Sequence, residues 1–199
     1  MARKSLKFKK PVFLTIPAAM WDELREHLFP GDADEHAAII AAGVIDTPRG
    51  VRLVARKLFV AKDGKDFVSG GRNSYRQLTP GFIYNAAAYC ELNKLSYLAI
   101  HNHLGRDSVG FSGVDLASHE RGYPALLDII QRPPVGALVF AENAIAGDIW
   151  FSTTDRRELE ETYILGSSLR RLYDSPPPPP ADVGAEYARQ VLLFGTRGQ

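Results

Sequence analysis

The chain has 199 residues, enough for one ordinary domain with little left over, and its 45% hydrophobic content supports a real core. A formal net charge of +1 gives no global field that would recruit nucleic acid or an acidic membrane. No apolar run approaches a membrane span, and a single cysteine, Cys90, excludes an internal disulfide and fits a reducing, cytoplasmic setting.

Residues 1–11 form a basic arm carrying Arg3, Lys4, Lys7, Lys9 and Lys10; no apolar stretch follows it, so it does not read as a secretory signal. Val12–Ile16 is short and β-prone. Pro17 then opens a helix in which Ala18, Trp21, Leu24, Leu28 and Phe29 share one face, and Pro30-Gly31 stops it. Glu35–Ile45 is almost continuously apolar, as in a strand buried on both faces, although its alanines leave a helix open. A carboxylate at the mouth of such a run, Glu35 or Asp34, is notable beside the ordinary reading of an exposed strand-end acid. His36 would face away from it, as a surface or supporting group. Asp46–Gly50 is a turn and Val51–Ala61 a strand; Asp63-Gly64 signals a hairpin with a short return over Lys65–Val68. Ser69–Asn73 is a Gly-rich loop.

A second helix begins at Thr79 or Pro80 and runs to Asn93, with Cys90 expected as a buried spectator thiol. The strand Ser96–Ile100 delivers His101-Asn102-His103. Residues i and i+2 of a strand point to one face, so two imidazoles project together from its end. Gly105–Phe111 is a loop whose glycines permit close backbone approach. Ser112-x-x-Asp115 then has the pattern of a helix-opening capping box. Two neutral nitrogens and a carboxylate make a three-ligand zinc site with an open fourth position, the catalytic arrangement. His119 lies one turn beyond Asp115 on the same helix face and competes as third ligand. Gly122 and Pro124 predict a kink or two pieces before Ile130.

Val135–Phe140 and Ala144–Phe151 read as a hairpin around Glu142-Asn143, and Arg156–Leu172 as a final amphipathic helix. Pro176–Pro180 is a stiff spacer of about 15 Å. The domain therefore spans 12–175, a Pro-rich linker spans 176–186, and a tail occupies 187–199.

His101-x-His103, Ser112-x-x-Asp115 and an upstream Glu together resemble the JAMM motif of the MPN/JAB metalloproteases. The resemblance runs from about Phe13 to about Phe151. Leu104 replaces the proline that usually follows the second His, and the gap to the Ser is one residue longer than usual. It implies a cytidine-deaminase-like α/β (α+β) fold, a mixed central sheet flanked by helices. It also implies Zn2+ as cofactor, with His101, His103 and Asp115 as ligands. Glu35 would be the general base and Ser112 the oxyanion donor. The implied activity is that of an isopeptidase or peptidase cleaving after the C-terminus of a ubiquitin-like protein. The tail, Tyr187-x-Arg189-Gln190 through Phe194-Gly195 to Gly198-Gln199, resembles the opening of E1-like, ThiF-type adenylating domains, with Arg189 matching a phosphate-reaching arginine. That implies a fused or docked E1-like partner, with neither membrane nor nucleic acid expected. Two other readings stand beside it: a RadC-type JAB protein linked to DNA processing, and a non-catalytic JAB scaffold.

Overall fold

The structure is a computed structural model that describes residues 9–68, 76–131 and 134–176. The expectations placed on the start of the basic arm, on Ser69–Asn73, on most of the polyproline run and on the E1-like tail fall outside the described residues.

Eight strands and three helices form in the order β1 (Val12–Pro17), α1 (Ala18–Leu28), β2 (Ala37–Thr47), β3 (Gly50–Val60), α2 (Pro80–Asn93), β4 (Ser96–Asn102), α3 (Gly113–Ile129), β5 (Val135–Phe140), β6 (Ile145–Ser152), β7 (Asp155–Leu165) and β8 (Leu169–Leu172). Their order in the sheet is β1-β3-β2-β4-β5-β6-β7-β8, and β1 also pairs with β7, in parallel, from Val12↔Leu159 to Pro17↔Leu165. That second pairing closes seven strands into a mixed barrel, with β8 appended to β7. The expected cytidine-deaminase-like fold, an open central sheet flanked by helices, is therefore not what forms. A sheet with both edges of β1 satisfied closes on itself and does not offer helices the two open faces of a sandwich.

The segment Arg156–Leu172 is also corrected: it makes β7 and β8, not a helix. Its charges imitate helical amphipathicity. Yet Leu159, Thr162 and Ile164 are buried while Glu158 and Glu160 face out. The β-prone run Thr162-Tyr163-Ile164 decides for strand. Nor does Lys65–Val68 return along β3; Phe67 bridges Leu78 instead. β2, where a helix had remained open, pairs with β3 and β4 on its two edges. α3 runs unbroken through Pro124.

Alternation divides the buried residues into two cores. The inner one draws on every strand, with Leu14, Ile40, Leu53, Leu98, Phe140 and Ile164 among its members, and α1 adds Trp21, Leu24 and Leu28 to it. Trp21 meets Phe140 at a centroid distance of 5.9 Å. The outer core lies where α2 and α3 cover β2, β4, β5 and β6: Ile39, Tyr97, Ala137 and Trp150 meet Ala86, Cys90 and Tyr123. Cys90 is fully buried, and burial pushes its thiol up to about 12, so it stays an inert packing group. No helix among the described residues is long and apolar enough to cross a membrane.

At the β5–β6 contact a Cβ on Gly136 would lie 2.9 Å from the Asp148 carbonyl oxygen and 2.6 Å from Ile149 Cδ1. Backbone cannot yield as a side chain can, so Gly136→Ala is expected to destabilise the barrel by about 1–3 kcal/mol, read as a lower urea midpoint at unchanged m-value.

Candidate metal centre

β4 alternates cleanly. Leu98 and Ile100 enter the inner core, while Tyr97, Ala99 and His101 face outward under the helices. Asn102, between the two histidines, is buried, and its Oδ1 accepts the His36 backbone N–H at 2.6 Å. The Asn102 N–H in turn donates to the His36 carbonyl at 3.3 Å. This reciprocal pair continues the Ala37↔His101 register of β2 on β4. It brings Glu35, the residue before His36, to the mouth of the cleft that His101 and Asp115 also line. His36 itself is buried rather than on the surface, with Nε2 2.9 Å from Asp32 Oδ1.

Ser112 caps α3. Its Oγ accepts from the Asp115 N–H at 3.2 Å, and Asp115 Oδ2 accepts from the Ser112 N–H at 2.7 Å. The expected capping box thus forms and fixes the Asp115 rotamer. Asp115 Oδ1 lies 3.5 Å from His101 Nε2, Asp115 Oδ2 lies 3.5 Å from His103 Nε2, and the two Nε2 atoms are 3.2 Å apart. One ligand atom from each of the three residues fits within 4.8 Å. Their side chains are 15–25% exposed, so the cluster is enclosed yet reachable.

Around a tetrahedral zinc with ligand bonds of 2.0–2.1 Å, neighbouring ligand atoms stand about 3.3 Å apart. The 3.2 Å between the two Nε2 atoms is close to that value, and two imidazoles with a carboxylate are a donor set that zinc takes. The protonation states agree. For Asp115, burial alone would raise the pKa, but contacts with His101 and with the Ser112 hydroxyl and N–H hold it well below the usual carboxylate range. Burial and the neighbouring His101 lower that of His103, against the pull of Asp115 and a hydrogen bond to the Gly110 backbone. A carboxylate anion and a neutral imidazole are the forms that bind a cation. Burial raises Glu35, and the charge of Asp115 adds to it while His101 opposes it.

The cleft has a volume of about 430 Å3 and is walled by Ile83 of α2 and by Tyr123, Leu126 and Ile129 of α3, over Ala99 and Ala137. Arg76 closes one side. Its Nη1 donates to the Glu35 carbonyl at 3.3 Å, Nη2 pairs with Asp63, and the guanidinium lies 3.7 Å from the Phe67 ring centroid.

His119 is not part of the ligand cluster. It is buried, with Nδ1 2.7 Å from Asp148 Oδ2, and Asp148 also accepts from Arg156 Nε at 2.5 Å and Trp150 Nε1 at 3.0 Å. Sequence reasoning missed Asp148, Arg76 and the locking role of Asn102. The one available signal was an acid inside the otherwise apolar run of β6.

No protein-family model matches the chain, and no curated protein does. Among solved structures it is similar to the solution structure of protein DSY2949 from Desulfitobacterium hafniense. The TM-score is 0.48 at 13% identity, over 76% of this chain and 92% of that one.

Burial works to raise the Asp148 pKa, but hydrogen bonds from His119, Arg156 and Trp150 outweigh it and leave the carboxyl lowered. A depressed folded-state pKa contributes stability that is whole above the ordinary value near 4 and drains as pH falls through the folded one. Asp148→Asn is expected to cost about 3–5 kcal/mol at pH 7, as for a broken buried pair, with the gap to wild type narrowing below about pH 4. Urea unfolding at both pH values checks this.

Proposed function

We propose that the chain is a metal-dependent hydrolase of amide bonds. The observation that carries this reading is the convergence of His101, His103 and Asp115 at the mouth of a cleft that also holds Glu35. The three ligands would hold a zinc-class divalent ion. Bound there, such an ion acts as a Lewis acid and lowers the pKa of a water to about 7.

Glu35 is the general base. Its raised pKa suits it to take a proton from the attacking water and return it to the leaving amine. Arg76 and the His36–Asn102 pair hold its backbone in place. Ser112 stands beside the ligands: its oxygen accepts from Asp115 N–H, and its hydroxyl, which faces the Asp115 carboxylate, would turn to the oxyanion of a tetrahedral intermediate. The motif's resemblance to JAMM supports a narrower reading, in which the bond follows the C-terminus of a ubiquitin-like protein. An E1-like partner rests on the tail sequence alone.

Metal analysis of the purified chain is expected to find stoichiometric zinc in the wild type and in Glu35→Gln, and little in His101→Ala. Cleavage of a ubiquitin-like fusion is expected to fall about 10^2–10^4-fold in Glu35→Gln. A metal-free wild type, or metal loss in Glu35→Gln equal to that in His101→Ala, overturns the assignment.

A further inference from the structure

α3 is fastened to the barrel wall one helical turn beyond Asp115. Asp115 and His119 are four residues apart and leave the same face of the helix. Asp115 turns toward the histidine pair, whereas His119 turns to the sheet and meets Asp148 of β6. A carboxylate only accepts, so His119 Nδ1 carries the hydrogen of that bond. Arg156 joins Asp148 to Glu120 of α3, with Nη1 2.7 Å from Glu120 Oε1, so two adjacent residues of α3 are tied to one buried acid. The imidazole stacks on Tyr123 at 4.9 Å and meets the Phe111 ring edge-on at 4.9 Å. Phe111 lies 6.2 Å from the His101 ring. His119, Asp148, Arg156, Glu120, Tyr123 and Phe111 have no part in the hydrolysis described above.

Apolar side chains could hold a helix on a sheet without the cost of desolvating a buried acid. A directional bond adds register. Each residue of an α-helix advances 1.5 Å and turns about 100°. A slip of one residue would therefore carry Asp115 off the histidines. The capping box orients Asp115 only within its own helix, and β4 orients the histidines only within the sheet. The His119–Asp148 bond joins these two frames close to the ligands.

We propose that His119, held by Asp148, is a positioning residue that sets Asp115 against His101 and His103, so that losing this bond weakens divalent-metal binding without unfolding the chain. The proposal rests on the metal reading above. The test strips the full chain with a chelator and titrates zinc alone against a chromophoric competitor, for wild type, His119→Phe and His119→Asn. Urea unfolding of the metal-free proteins runs in parallel. His119→Phe keeps the ring stack and loses the bond; His119→Asn loses the stack and keeps an N–H donor for Asp148. The expected result is zinc affinity at least about tenfold weaker in His119→Phe and largely restored in His119→Asn, in disregard of which variant is the less stable. Wild-type affinity in His119→Phe overturns the proposal, as does affinity that follows stability across the set. If His119→Phe does not fold, His119→Leu takes its place with the same expected loss. A wild type that takes no zinc overturns the metal reading itself, and this proposal with it.

Discussion

The parallel pairing of β1 with β7 is the constraint on which the other features depend. Once Val12–Pro17 bonds β3 on one edge and β7 on the other, every barrel strand has one face committed to a closed interior. What remains is an outer wall, and among the described residues α2 and α3 cover the stretch of it built by β2, β4, β5 and β6, with Phe59 of β3 at its edge. Alternation along β4 then leaves no choice for the histidines: with Leu98 and Ile100 inside, His101 must emerge on the wall beneath α3.

The polar connections around the site are layered on this frame. Three pairings that are remote in sequence set its shape: His36 with Asn102, Arg76 with the Glu35 carbonyl, and His119 with Asp148. The first and the last satisfy buried polar groups that would otherwise destabilise the fold by about 1–3 kcal/mol. Each of the three also fixes one of the elements that meet at the cleft: the start of β2, the approach to α2, and α3.

The parts legible in the sequence were the local ones. His101-Asn102-His103 after an apolar strand and Ser112-x-x-Asp115 at a helix start are short-range patterns whose geometry follows from strand and helix periodicity, and both form as read. Glu35 could be placed only by its order in the chain, since the pairing that brings it to His101 joins residues far apart. Barrel closure left no such trace: β1 and β7 lie at opposite ends of the domain. The charges of Arg156–Leu172 followed a helical rhythm because Arg156, Arg157 and Arg171 answer Asp148, Asp155 and Glu161. His119 had the spacing of a ligand, and only the position of Asp148 on β6 shows why its ring turns away.

Two carboxylates share the mouth of the cleft, and their environments drive them apart. Asp115 is tied to the Ser112 N–H and faces two imidazoles, which favours the anion. Among the described residues Glu35 has no comparable set of donors; burial and the nearby Asp115 charge favour its protonated form. A group locked as an anion is a poor proton acceptor but a good ligand, and a group whose pKa is pushed upward is the reverse. The proposed division of labour between ligand and base therefore rests on where each acid sits, Asp115 inside a capping box and Glu35 at the lip of an apolar wall. It would hold for any chain that placed two acids in those two settings, whatever fold carried them.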